Sequence, residues 1–343
     1  MSDVPPPRTH RIGIFGPFIL LCLAFAAWSG YWFYVADQVG GRIKAHQQVL
    51  VQQGYSIRYD PWRMQGYPFR MFLDLRNVTV IAPSGKGFAA PQLEAEANAY
   101  ALDKWVLVAP KGLTLYRGRP DGADWGTLAV TGTSLKASVS GLTRPIYSVA
   151  IVGSGLSLTP SDPARPFGFS SAESVEAYAR PTVGVADSAD FLVRVGNARG
   201  QPESLTGQLS PDKPLNLHVE GALSHVSAYD SGVTAWRNAG GTVGGFHAQL
   251  TAGDLNLDAR SDALTFDDSH HVSGRMAIEM SGSFQPLSVL AALHLISAEN
   301  MTLAKPLIDM TLATQGTQKF ALDFHDGGAY IGPLKVSDAP IVP

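Results

Sequence analysis

The residues that could do chemistry are few and awkwardly spaced. His270 and His271 stand beside Asp267 and Asp268, and neighbouring imidazoles and carboxylates are common ligands of divalent cations. Adjacent strand residues face opposite ways, however, and no His-x-His or His-x-x-x-His pair accompanies them, so the spacing favours a solvated loop. Asp254, Asp258, Asp262, Asp267 and Asp268 suggest calcium only superficially. An EF-hand needs alternate carboxylates around a central glycine and a closing glutamate, and that order is absent. Ser84-Gly85-Lys86-Gly87 has the flavour of a phosphate loop but lacks its first glycine spacing and the hydroxyl residue after lysine, so it reads as a surface turn. There is no Gly-x-Ser-x-Gly nucleophile elbow. His218 and His247 fall at polar-face positions of strands, and His325 precedes a turn. The expectation is a protein without catalytic residues, metal or cofactor.

Cys22 is the sole cysteine of the 343 residues, which excludes an intrachain disulfide and a thiolate zinc cluster. A charged content of 16% is low for a globular domain, and the formal net charge of -3 provides no basic field to attract nucleic acid. Nucleic acid is not an expected partner.

The elements that would position any site begin with Ile12 to Val35, 24 residues without a formal charge. At about 1.5 Å per residue this covers the roughly 30 Å hydrocarbon core of a bilayer. Arg8 and Arg11 precede the run, while Trp28, Tyr31, Trp32 and Tyr34 crowd its far end as an interfacial belt. Positive-inside orientation then puts residues 1–11 in the cytoplasm and everything after about Asp37 outside it. Ala24-Phe25-Ala26 resembles a signal-peptidase site. The apolar run continues past it to Val35, which favours an anchor over a cleaved signal.

Val39, Ile43, His46 and Leu50 recur at helical spacing ahead of Gly54, predicting a short continuing helix with a glycine cap. From Tyr55 the pattern changes to period two, as in strands with one buried face. Phe69, Met71, Leu73 and Leu75 alternate with Arg70, Asp74 and Arg76, and only Phe72 breaks the order. The same holds around Leu135, Tyr147, Phe191, Leu215, Leu255, Met276, Ile308 and Phe320. Asp121-Gly122, Gly240-Gly241, Gly244-Gly245 and Asp326-Gly327-Gly328 mark antiparallel turns. Beyond the N-terminal helices only residues 286–297 look helical, and so few helices cannot supply the crossovers of a parallel sheet. The fold expected is mainly β: an elongated, curved antiparallel sheet or a two-lobed sandwich. The division runs 1–11 cytoplasmic, 12–35 transmembrane, 36–54 juxtamembrane helix, 55–165 first β region and 166–343 second, with loops joining sheets near Thr159 to Gly168 and Gly196 to Pro214.

Gly66-Tyr67-Pro68-Phe69-Arg70, followed by the amphipathic strand Met71 to Val80, resembles a bacterial family of uncharacterised envelope proteins, DUF2125. Gly54-Tyr55-Ser56-Ile57 and Trp62 occupy the expected approach, and Asp326 to Leu334 is similar to the family ending. The resemblance implies a membrane helix, a short polar helix and β-rich sequence to the C-terminus, with no activity or catalytic residues to carry over. At the level of layout the chain also resembles AsmA-like and TamB-like proteins, which suggests envelope homeostasis or lipid handling. Gly66 to Arg70 itself reads as a structural corner, because Gly66 permits a bend and Pro68 fixes a dihedral.

The leading expectation is a non-enzymatic, inner-membrane-anchored periplasmic protein. Its partners would be the lipid bilayer and either phospholipid, met by an apolar sheet face, or an envelope protein recruited through sheet edges. The same alternation also builds a closed sandwich whose apolar face is simply its core. A periplasmic hydrolase lacks its polar constellation, and an outer-membrane barrel conflicts with the apolar helix.

Overall fold

The apolar N-terminal run and the polar stretch after it form one uninterrupted helix, α1 (Ile12–Gln52). It ends where Gly54 takes φ 88° and the Tyr55 N–H reaches back to the Leu50 carbonyl at 3.0 Å, a turn that glycine adopts without steric cost. The computed structural model describes residues 12–119, 122–201, 204, 206–207, 210, 213–282 and 317–341. The segment 1–11 expected to be cytoplasmic, the helix expected at 286–297 and the strand expected around Ile308 lie outside the described residues.

From Ser56 the chain is a succession of antiparallel strands. They are β1 (Ser56–Arg58), β2 (Arg70–Ile81), β3 (Lys86–Asn98), β4 (Ala101–Val108), β5 (Leu113–Arg117), β6 (Thr127–Thr131), β7 (Ser134–Ser140), β8 (Ser148–Pro160) and β9 (Phe169–Pro181). Then follow β10 (Ser188–Gly200), β11 (Leu215–Ser224), β12 (Val243–Ala252), β13 (Leu255–Phe266), β14 (Val272–Ser281), β15 (Thr317–His325), β16 (Gly328–Ile331) and β17 (Leu334–Asp338).

Their pairing is an up-and-down meander. β3 is long enough to pair β4 with its later half, as at Ala95↔Leu107, and β5 with its earlier half, as at Phe88↔Leu115. β8 likewise pairs β7 at Ser134↔Ser154 and β6 at Val130↔Leu158. Thus β4 with β5, and β6 with β7, each act as one interrupted strand. Each strand from β8 to β17 pairs the next. The expected antiparallel β architecture is present as one large sheet. The segments near Thr159 to Gly168 and Gly196 to Pro214 connect neighbouring strands of that sheet rather than two sheets. β8 and β9 pair from Val149↔Ala179 to Ser157↔Ser171, so the sheet runs on between regions 55–165 and 166–343.

One apolar face curls over itself to form the main core. Leu128, Leu156, Leu215, Leu255, Ile278, Leu322 and Val336 belong to a single buried cluster, which is how a half-apolar sheet removes that face from water. A second, smaller cluster joins Trp32 and Val35 of α1 to Met71 and Ala99. Two short elements were not legible in the sequence: a 3-10 helix at Val226–Ser231 and α2 (Val233–Asn238). They seat Trp236, 4% exposed, whose indole N–H donates to the Ser224 carbonyl at 2.6 Å.

Candidate functional site: a helix-docked corner and an apolar sheet face

Gly66-Tyr67-Pro68-Phe69-Arg70 forms the corner that turns the chain into β2. Gly66 has φ 93° and Tyr67–Pro68 is a cis peptide. The Arg70 N–H closes the turn on the Gly66 carbonyl at 2.9 Å. A Cβ on Gly66 would lie 2.8 Å from the Arg70 carbonyl oxygen, so glycine is required here for space as well as for its dihedral.

α1 docks on this corner through the aromatic residues at the end of its apolar run. Trp28 donates its indole N–H to the Pro68 carbonyl at 2.9 Å, and Trp32 donates to the Arg70 carbonyl at 3.0 Å. The Tyr31 hydroxyl reaches the Ala99 carbonyl at 3.4 Å. Tyr67 fits among Phe25, Trp32 and Phe33 at ring separations of 6.3, 5.5 and 5.7 Å, near the favourable range for aromatic pairs. Trp32 is consequently 3% exposed, whereas Tyr34 remains 65% exposed. Arg70 points outward to Glu96 at 2.6 Å. The residues expected as a membrane belt and those expected as a structural corner are therefore one joint. The sequence shows both groups but not their contact, because tens of residues separate them.

Directly opposed strand residues share a face, so the registers can be followed across the sheet. The row Leu73, Ala95, Leu107, Ala137, Ile151, Ala177, Val193, Val219, Ala248, Ala259, Ile278, Phe320 is apolar without interruption. Its two ends are covered: Leu73 is 3% exposed and Ile278 1%. At the β2 side the cover includes α1, with Val39 and Trp105 beside Met71. Ile151, in the middle of the row, is 50% exposed, and Tyr147, just before the same strand, is 46% exposed. The apolar face is thus a closed core over much of its area and open between α1 and the main cluster.

The neighbouring row on the opposite face runs Glu176, Arg194, His218, Gln249, Asp258, Glu279, Lys319. Glu220 bridges the two histidines, 3.2 Å from His218 and 3.5 Å from His247, and hydrogen bonding to His218 leads in holding its carboxyl below the usual range. Burial pushes the Asp258 carboxyl up, but hydrogen bonds from Arg260, His247 and Gln249 outweigh it and leave the group well below the ordinary carboxylate range. His247 lies 2.8 Å and Arg260 2.7 Å from Asp258. This is a ladder of polar and charged residues of both signs on a water-facing surface. An open hollow of about 720 Å³ adjoins it, lined by Ser138, Ala150, Tyr178, Leu192, Glu220 and Ala222.

The other sequence candidates disperse. Asp267 caps its own turn, accepting N–H groups from Ser269 at 2.9 Å and His271 at 2.8 Å, and the His271 N–H is the main cause of its lowered pKa. Asp254 pairs with Lys213 at 2.9 Å, far along β13 from that turn. Ser84 to Gly87 lies in the β2–β3 hairpin, where the Gly85 N–H donates to the Ala82 carbonyl at 2.9 Å. His325 stacks on Tyr330 at 4.1 Å. Among the described residues no group of three or more His, Cys, Asp or Glu is placed to hold a metal ion. Sequence reading did not connect His218 with His247, because Glu220 joins them across the neighbouring strands β11 and β12.

No curated protein and no solved structure matches this chain. Residues 32–340 match the family described as uncharacterized protein conserved in bacteria (DUF2125). That match begins at Trp32 in the docked part of α1 and covers the corner and the whole described sheet, so the chain belongs to the DUF2125 family.

Proposed function

We propose that this is a non-enzymatic protein of the bacterial cell envelope, anchored in the inner membrane by α1 with its N-terminus cytoplasmic, whose periplasmic sheet meets phospholipid through the uncovered part of its apolar face. α1 is long and apolar enough to span a bilayer, and the arginines preceding it support the orientation. The observation that carries the lipid reading is Ile151. It belongs to an apolar row buried at both ends, yet it is 50% exposed, and leaving such a surface to water is unfavourable. The closed core limits the reading to that opening. Recruitment of a protein through a sheet edge fits less well, since β1 is three residues long and β17 carries Lys335 and Asp338, both features that blunt an edge.

The test is a photo-crosslinking amino acid placed at Ile151 in the full chain and activated in living cells. Adducts of phospholipid mass are expected at Ile151 and not at the water-facing Gln249. A discrete protein adduct at Ile151 would favour the scaffold reading instead.

A further inference from the structure

We propose that the edge of the sheet nearest the start of β2 rests on the bilayer surface, so that Phe69, Tyr100, Leu142, Val183 and Val185 form a second, peripheral membrane contact beside the spanning helix. The proposal rests on α1 spanning a bilayer and not on lipid binding by the open apolar face.

The direction of α1 sets the geometry. Trp28 and Trp32 dock where β2 begins, and a Cβ on Gly54, just past the helix end, would lie 3.1 Å from Pro83 in the turn that follows β2. α1 therefore runs alongside β2 from its first residue to its last. Residues 15–27 are all exposed and project past the β2 starting edge.

Depth follows from length. A bilayer core of roughly 30 Å needs about 20 helical residues, and a span that begins at Ile12, directly after Arg11, extends to about Trp32. Ring contact begins at Phe25 and hydrogen-bonded docking at Trp28, so the outermost turns of the span already touch the β-body. Phe25 packs its ring edge on Tyr67 at 6.3 Å, and Trp28 lies 6.4 Å from Phe69. The corner thus sits at the depth of the outer headgroup boundary.

The register carries that depth to other loops. Asn98 pairs with Arg70, Ser140 with Ser148 and Ala189 with Pro181, so the turns after β3, β7 and β9 lie at the same edge as the corner. Each presents large apolar side chains to the outside. Phe69 is 64% exposed, Tyr100 68%, Leu142 48%, Val183 88% and Val185 56%. Loops at the opposite edge, among the described residues, carry none of the exposed large hydrophobics. Water is an unfavourable neighbour for such tips, whereas a headgroup boundary accommodates both their apolar bodies and the tyrosine hydroxyls. A bilayer is the occupant that the helix already places there.

The test uses the full chain in phosphatidylcholine nanodiscs containing a lipid with a quencher on its acyl chain. An environment-sensitive fluorophore is attached at the native Cys22, or at a single cysteine introduced by Leu142→Cys, Tyr100→Cys, Val183→Cys or Ala164→Cys in a Cys22→Ser background. Ala164 is an exposed site at the opposite edge. The expected result is strong quenching at Cys22 and several-fold more quenching at positions 142, 100 and 183 than at 164. Tyr100 sits in a two-residue turn, which guards against a loop that rearranges on labelling. Quenching at Cys22 with none above the Ala164 level at all three rim sites overturns the proposal while leaving the anchor intact. Absence of quenching at Cys22 overturns the spanning helix and the rim contact together.

Discussion

The indole N–H of Trp32 donates to the carbonyl of Arg70 at 3.0 Å, which fastens α1 to the first residue of β2. Trp32→Ala empties a site that is 3% exposed and is expected to cost about 3–5 kcal/mol, whereas Trp32→Phe retains most of the ring and loses about 1 kcal/mol with the hydrogen bond. Thermal unfolding of the detergent-solubilised full chain measures both. Equal effects from the two variants would mean that the ring does not seal the joint.

Gly66→Ala places a methyl group 2.8 Å from the Arg70 carbonyl oxygen, in addition to the cost of φ 93°. Gly240 has a similar dihedral, φ 81°, with open space around its Cβ position. Both alanine variants carry the dihedral cost, roughly 1–2 kcal/mol, and only Gly66→Ala carries the clash. Proteolysis near the corner should accelerate in Gly66→Ala and stay at the wild-type rate in Gly240→Ala.

The partition of the apolar face into closed and open parts is checked by truncation. Ile278→Ala removes a side chain that is 1% exposed and is expected to cost about 2–5 kcal/mol. Ile151→Ala, at 50% exposure, should cost under about 1 kcal/mol, since surface substitutions have small effects. Urea midpoints compare them, and a large loss at Ile151 would place it in a core rather than at an opening.

Asp258 contributes acid-sensitive stability. Its folded pKa is depressed by Arg260, His247 and Gln249 against the opposing effect of burial. A depressed carboxylate stabilises the fold above its unfolded pKa of about 4 and loses that contribution as pH falls toward the folded value. Asp258→Asn should therefore be less stable than the wild type at neutral pH, and the gap should narrow below about pH 4. Denaturation midpoints across that range test the sign, and a gap that widens on acidification contradicts it.

Much of the β architecture is legible because the pleat forces period two wherever one face is buried. Leu215, Leu217 and Val219 show this alternation in β11, and Gly54 marks the end of α1 as its dihedral requires. The interruptions between β4 and β5 and between β6 and β7 are marked only by Pro110-Lys111-Gly112 and Gly132-Thr133, turn residues that do not reveal that the strands on either side share one partner. Val233–Asn238 spans six residues, too few for a helical period to emerge. The joint was half visible. Trp28 and Trp32 stand out in the sequence as an aromatic group at the end of the apolar run, yet their hydrogen bonds go to carbonyls of Pro68 and Arg70, and backbone acceptors carry no signature in a side-chain pattern. The same limit hid the row from Leu73 to Phe320, which exists only once register is known.

In the proposed function α1 remains attached and holds the β-body on the outer side of the inner membrane. The direct measurement is fractionation of cells producing the full chain, with N-terminal sequencing of the recovered protein and protease added to spheroplasts. The expected result is a chain starting at its native N-terminus, resistant to extraction from the membrane, with the β-body degraded from outside. A soluble chain beginning at Ala27 would contradict it.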